Sequence, residues 1–310
     1  MQQIQTRQLP LIAVFAAIAI FVGTIITGSS AYAAQPTVNL RTASPFAILS
    51  GTANITDAGN NSAITGNVGL YPATGDNIGL NCSQVMGTIY SADAAGPLPC
   101  RITNGPLLLT AKNNLTTAYN DAAGRTPVTE LATELGGSTV VAGVYSSAST
   151  TFEISNVGSG ELVLDGQNDP SSVFIFKAPL EGTGLTVNSG STVSLTRGAQ
   201  ACNVFWVVDT ATINTTGTFV GTILALNSIT VANGATIDGR LLARNGSVTL
   251  DNDTIIAPIC AGNDTADETP GLPNTGGVVK QNTIIVLATS VFFAATAMLL
   301  AYAFNKKRSN

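Results

Sequence analysis

The segments TILALNSITV (222–231) and RLLARNGSVTL (240–250) repeat one pattern. Leu224 aligns with Leu242 and Ala225 with Ala243 at an offset of 18, and after a one-residue insertion Thr230 aligns with Thr249 at 19. One unit earlier, Trp206 precedes Leu224 by 18 and Thr212 precedes Thr230 by 18. A repeat this short holds about three short strands, the content of one turn of a triangular β-solenoid. Between 138 and 256 the chain is rich in Val, Ile, Thr, Gly and Asn, with period-2 alternation and frequent turn residues, the pattern of strands and turns.

The three strands of a coil differ in pattern. VFIF (173–176), VFWVV (204–208), TILAL (222–226) and RLLA (240–243) are apolar on both sides, so both sides require burial. The candidate cover is the helix predicted over 104–125, with Pro106 in its first turn and Gly124 at its end. Its stripe of Leu108, Ala111, Leu115, Ala118, Tyr119 and Ala122 recurs at helical spacing. The second strand set alternates. Leu185, Val187, Ala211, Ile213, Ile229, Val231, Val248 and Leu250 point inward, leaving Thr186, Asn188, Thr210, Thr212, Asn214, Ser228, Thr230, Ser247 and Thr249 outward. On the third face the outward set includes Thr192, Ser194, Thr216, Thr218, Thr236 and Thr254. Neighbouring strands lie about 4.7–4.9 Å apart, so stacked threonines form a regular grid of hydroxyls and methyls.

The two ends carry processing signals. Arg7, an apolar stretch from Leu11 to Ile26 and Ala31-Tyr32-Ala33 have the layout of a secretory signal peptide over 1–33, cleaved after Ala33. A retained membrane anchor is the alternative. At the other end, Leu272-Pro273-Asn274-Thr275-Gly276 precedes an uncharged apolar segment, 283–304, and then Lys306-Lys307-Arg308. About 20 apolar residues suffice to span a bilayer, and the basic tail would stay cytoplasmic. The three parts in this order resemble the cell-wall sorting signal cut by sortases. The resemblance implies cleavage after Thr275, linkage of Thr275 to the cell wall, and contact with the membrane only through 283–304 before processing. A plain single-span protein is the alternative, and either arrangement places the body outside the cell.

Residues 34–275 carry all 18 acidic residues and eight of the 13 basic ones, a net charge of −10, which disfavours nucleic acid. The acidic stretch 261–271 lacks large apolar residues and reads as a tether between the body, 34–260, and the sorting signal, 272–310. Cys82, Cys100, Cys202 and Cys260 form an even set in an exported chain and allow three pairings. Cys82–Cys100 with Cys202–Cys260 is favoured because the first pair brackets one loop-rich segment. With no CxxC and no histidine, neither a metal nor another cofactor is expected.

SPFAILSGTANITDAGNNSAITGNVGLYP (44–72), TAYNDAAGRTP (117–127), ELGGSTVVAGVY (134–145), LVLDGQNDPSSVFIF (162–176), GAQACNVFWVV (198–208), FVGTILALNSITV (219–231) and GATIDGRLLARNGSVTLDN (234–252) resemble the microbial ice-binding protein family. The resemblance covers roughly residues 40–260. It implies a right-handed triangular β-solenoid with a long helix alongside, a cap region at 73–102, and ice bound on one flat face. That face often carries T-A/G-x-T/N stretches. The nearest matches are Thr215-Thr216-Gly217-Thr218 and Asn233-Gly234-Ala235-Thr236, which favour the third face (Thr192, Ser194, Thr216, Thr218, Thr236, Thr254) over the second (Thr186, Thr210, Thr212, Ser228, Thr230, Ser247, Thr249). The expected partner is an ice crystal surface, met by a monomer.

Two other classes compete. A polysaccharide-active enzyme on the same scaffold would draw on Asp165, Asp169, Asp238, Arg240, Arg244, Asp251 and Asp253. However, 165–170 reads as a turn and Asp238 with Arg240 as a surface ion pair, so the chain is expected not to be an enzyme. A Ser-His-Asp mechanism is excluded because there is no histidine. An adhesin would suit the sorting signal equally, but one Trp and six Tyr are few aromatics for carbohydrate or protein recognition. In a host that carries a sortase, Thr275→Ala is expected to move the protein from the cell-wall fraction to the membrane fraction. Unchanged wall linkage on fractionation would remove the sorting-signal reading.

Overall fold

A computed structural model describes residues 35–214 and 216–261. The signal peptide, the tether beyond Ala261, the LPNTG motif and the apolar segment 283–304 lie outside the described residues. The described body is a mostly parallel β-solenoid whose coils each place strands in three ladders, with one long helix. The first ladder is the doubly apolar set and forms the covered face. It runs through Arg101–Thr103, Ile89–Ser91, Asn67–Leu70, Phe46–Ser50, the second halves of Thr236–Ala243 and Thr218–Ala225, then Val204–Val208, Phe174–Ala178, Gly143–Ser147 and Thr129–Leu131. The two eight-residue strands turn the corner onto the third face, which they share with Thr254–Ile256, Ala63–Thr65 and Val85–Met86.

The order of coils in space differs from their order in the chain. The first strand, Phe46–Ser50, pairs with Thr236–Ala243, Ile55–Asp57 with Val248–Leu250, and Ala63–Thr65 with Thr254–Ile256. The first and last coils of the chain therefore meet at a seam inside the stack. Later N-terminal coils build outward to 103, where the chain has to return to the opposite end to begin the coil at 129. Helix α1 (Gly105–Gly124) makes that return. A 20-residue helix is about 30 Å long and four extended residues after it reach about 13 Å more, which matches nine strand spacings of about 4.8 Å.

The sequence explains why α1 starts and how it docks. Asn104 caps it by accepting from Leu107 N–H at 3.1 Å, and Pro106 occupies the first turn. Leu108, Ala111, Leu115, Ala118, Tyr119 and Ala122 are all buried against Leu49, Val144, Ile175, Val207, Leu224 and Leu242 of the covered face. Lys112, unforeseen in the apolar stripe, is buried as well. Its Nζ donates to the carbonyls of Ala243 and Arg244 at 2.6 Å, and burial pulls its pKa down to about 7. Arg244 in turn lies over the Tyr119 ring, 4.7 Å from its centroid.

Inside the coils, Tyr145, Phe176 and Trp206 occupy paired positions, with Phe176 and Trp206 stacked at 4.1 Å between centroids. Trp206 pairs with Ile223, and Val207 with Leu224, so the expected offset of 18 between Trp206 and Leu224 is 17 in the structure. Val208 and Thr212 are four positions apart, whereas their partners Ala225 and Thr230 are five apart. The extra residue sits in the corner and shifts the covered face by one position relative to the next.

Arg240 corrects another expectation. It is 7% exposed rather than a surface ion-pair partner, and its Nε and Nη2 donate to the carbonyls of Ser44 and Pro258 at 2.8 Å. Cys82–Cys100 and Cys202–Cys260 are the disulfides.

Asp253 sits beside the seam, 1% exposed, accepting from the N–H groups of Ala235 and Asp251 at 2.9 and 2.8 Å. Burial, with Asp57 and Asp251 nearby, raises its pKa to about 6 from 3.8. The folded state thus binds this proton more tightly than the unfolded state, so the stabilisation is complete below about pH 4 and is lost as pH rises through 6. Thermal melts followed by circular dichroism are expected to show Tm falling between pH 4 and pH 6, with the fall flattened in Asp253→Asn. An unchanged slope in the variant would assign the effect elsewhere.

Candidate functional site

On the second face, seven strands stack in the order Phe152–Ile154, Gly184–Val187, Thr210–Ile213, Ile229–Val231, Val248–Leu250, Ile55–Asp57 and Ile78–Gly79. Inward residues Leu185, Ala211, Ile229, Val248 and Ile55 are all buried, as are Val187, Ile213, Val231 and Leu250. With the inner side fixed at every coil, the outer side comes into line. The register runs Glu153, Thr186, Thr212, Thr230, Thr249, Thr56, Gly79. Five consecutive strands therefore present threonine at one level, and the Thr56 and Thr249 hydroxyls are 3.4 Å apart across the seam.

Alternation places Thr210, Ser228 and Ser247 in a second row, with Gly184 paired to Thr210 and the Ser228 and Ser247 hydroxyls 3.4 Å apart. Between Thr186 and Thr56 neither row carries a charge, and among the described residues no helix covers the face: α1 packs on the first ladder. Toward Glu153 the surface dips into a cavity of about 290 Å³ lined by Thr151, Glu153, Gly184, Thr186, Thr210 and Thr212. Asn188 Nδ2 donates to the Glu153 carboxylate at 2.7 Å and pins this end of the row.

The third face is less regular. Thr218, Thr236 and Thr254 are in register and continue to Ala63. At the neighbouring level Val220 is buried, and Asp238, Ile256, Thr65 and Met86 follow it in register, with Ile256 43% and Met86 77% exposed. Thr192 and Ser194 lie opposite Glu161 and Val163. Thr216 lies in the bend ahead of Thr218 and is not part of a strand.

Thr56 is the member of the long row that the repeat comparison missed. The signal was present, since NITD (54–57) matches SITV (228–231), but the repeat gives no indication that an N-terminal coil stacks on a C-terminal one.

Most of the acidic and basic residues that a catalytic reading would use are engaged in structural contacts. Asp165 pairs with Arg197, which keeps its carboxyl below the usual range, and accepts from Gln167 N–H at 2.8 Å. Asp169 accepts from the Ser171 N–H and hydroxyl. Asp253 closes the corner before Thr254, Arg240 ties two chain segments, and Arg244 packs on Tyr119.

A solenoid that presents one repetitive, uncharged, hydroxyl-bearing face is the class that this fold and ladder define. A family profile described as ice-binding-like matches residues 48–256. An ice-binding protein of Colwellia sp is 41% identical over 245 residues, covering 78% of this chain and 92% of that protein. One from Flavobacterium frigoris (strain PS1) is 39% identical over 236 residues, or 75% of this chain and 80% of that protein. Among solved structures, an ice-binding protein from an Antarctic biological consortium superposes with a TM-score of 0.61 at 33% identity, covering 74% of this chain and 94% of that one. An ice-binding protein from an Arctic yeast gives 0.61 at 28% identity, covering 78% and 98%. This chain belongs to the ice-binding-like family.

The close approach of strands at Gly184 supplies a test of the face itself. A Cβ there would meet the Thr210 carbonyl oxygen at 2.6 Å, whereas at Gly79 the nearest atom, the Ile55 carbonyl oxygen, would be 3.2 Å away. Gly184→Ala is expected to destabilise the protein by about 1–3 kcal/mol and Gly79→Ala by less, compared in parallel thermal melts. Equal Tm values for the two variants would contradict the strand spacing described here.

Proposed function

We propose that this protein binds ice through the second face, with Thr186, Thr212, Thr230, Thr249 and Thr56 as the contact row and Thr210, Ser228 and Ser247 beside it. The observation that carries the reading is the unbroken register of threonine over five strands. At about 4.8 Å per step the row repeats hydroxyl and methyl groups on a rigid lattice, which orders adjacent water without any catalytic group. Membership of the ice-binding-like family and the ice-binding relatives support the ligand, and a binding role in place of an enzymatic one.

The T-G-T and N-G-A-T stretches point to the third face. Two positions further along the same strands, Asp238 follows Thr236 and Ile256 follows Thr254 on the same side. A carboxylate and an exposed branched apolar chain interrupt a hydroxyl lattice, so the second face is the better surface.

The body is further proposed to be a right-handed solenoid of triangular section. Three ladders per coil support the section, and the strong preference of parallel crossovers supports the hand. Export and attachment to the cell wall through Thr275 complete the proposal, which rests on the sequence signals at the two ends. Ice is favoured over an adhesin's carbohydrate or protein target because Trp206, the chain's one tryptophan, is fully buried and so is not on a recognition surface.

Outward Thr→Tyr substitutions test the face, since exposed changes typically alter stability by no more than about 0.5 kcal/mol. Thr212→Tyr and Thr230→Tyr are expected to abolish most thermal hysteresis with circular dichroism unchanged, while Thr218→Tyr and Thr236→Tyr leave most of it. The reverse pattern would move the site to the third face. A wild type that leaves ice growth no different from buffer would end the ice reading altogether.

A further inference from the structure

After Ile256 the chain leaves the third face and crosses several coils. Ala257 N–H donates to the Thr65 carbonyl at 2.9 Å, and the buried Pro258 offers its carbonyl to Arg240. Cys260 is bonded to Cys202, and Ala261 N–H donates to Gln200 Oε1 at 2.7 Å. Gln200 also reaches the Pro170 carbonyl at 2.8 Å. Residues 257–261 therefore form a strap from the coil of Arg240 to the coil of Cys202. Both contacts lie just before or at the start of covered-face strands, so the strap follows the corner between the third and covered faces. Each coil passes from the covered face to the second face, to the third face, and back to the covered face. That corner is the one that does not border the threonine face.

The loop closed by Cys202–Cys260 spans 58 residues and contains the strands of Thr212, Thr230 and Thr249. Those strands stack next to the seam, where the last coil of the chain is an interior coil with neighbours on both sides. In a solenoid whose last coil lay at the end of the stack, a pull on the C-terminus would peel only the edge. Here, loss of the last coil would remove Thr249 from between Thr230 and Thr56 and cut the row in two.

We propose that the strap and its disulfide are the load-bearing attachment of the ice-binding body. Tension applied beyond Ala261 enters at Cys260, passes directly to Cys202, and bypasses the three coils that carry the centre of the threonine row. Because the pull comes from the corner away from the second face, that face is directed away from the point of attachment. The inference rests on the ice face and the C-terminal attachment proposed above.

The test couples the chain of residues 34–275 to beads through a tag after Thr275, lets it bind an ice crystal and measures retention under flow. Thermal hysteresis of the same protein free in solution is measured alongside. Cys202→Ala with Cys260→Ala is expected to leave hysteresis in solution unchanged and to shorten retention about tenfold, because detachment under load follows the unfolding rate. Cys82→Ala with Cys100→Ala, outside this load path, is expected to retain like wild type. Force spectroscopy with a handle at each end is expected to show about 20 nm more released length in the Cys202/Cys260 double variant than in wild type, from 58 residues at about 3.4 Å each.

If that double variant does not fold, wild type coupled through its N-terminal side replaces it. No disulfide guards that end, so retention is expected to be shorter than through the C-terminal side. Equal retention of wild type and the Cys202/Cys260 double variant, or of wild type coupled through its two sides, or full release of length in wild type, would overturn the proposal. Absence of hysteresis in free wild type would instead defeat the ice reading, while the released length still reports on the strap.

Discussion

In-register parallel hydrogen bonding between coils is the constraint on which this molecule depends. Every strand bonds to the equivalent strand one coil away, so a coil fixes its neighbours' height and lateral position together. The outer surface then inherits the order of the inner one. Leu185, Ala211, Ile229, Val248 and Ile55 differ in size, yet all project inward at one level, which leaves the intervening threonines level outside. The corners absorb what the strands cannot. Asp57, Asp209 and Asp253 each accept backbone or amide N–H groups at turns where chain direction changes.

The covered face works on a different principle. Its strands are apolar on both sides, so one side fills the coil interior and the other has to be sealed by α1. One buried and one half-buried cation lock this contact. Lys112 and Lys177 donate to backbone carbonyls from opposite directions, Lys112 from the helix to the sheet and Lys177 from the sheet to the last turn of the helix. Arg240 performs the corresponding role at the seam, where no continuous chain joins the two stacked coils. A single guanidinium holds the entering and leaving segments at Ser44 and Pro258.

Much of this was legible in the residues themselves. Period-2 alternation assigned the inward and outward members of the second face, and helical spacing identified six of the seven buried residues of α1. Two-sided apolar strands called for the cover they receive. What alternation cannot convey is which strands are neighbours. The Trp206 offset of 18 exceeds the structural one by a residue because apolar positions alone do not show the extra residue in the corner. Thr56 is not apparent from the repeat because the level of a side chain across strands is set by pairing, and motifs along one strand do not report it. Arg240 and Lys112 escaped because a long cation in an apolar neighbourhood reads as surface until the carbonyls that receive it are in place.

The length of α1 carries an evolutionary consequence. A solenoid with both chain ends outside can grow by duplicating a coil of about 18 residues. In this chain the helix runs from one end of the stack to the other, so an added coil would leave the return path about 4.8 Å short. About three more helical residues at 1.5 Å each would have to appear with it. Widening the threonine surface thus requires coordinated insertions at two distant places in the gene. Selection for tighter binding is left to act mainly on which side chain occupies each existing rung.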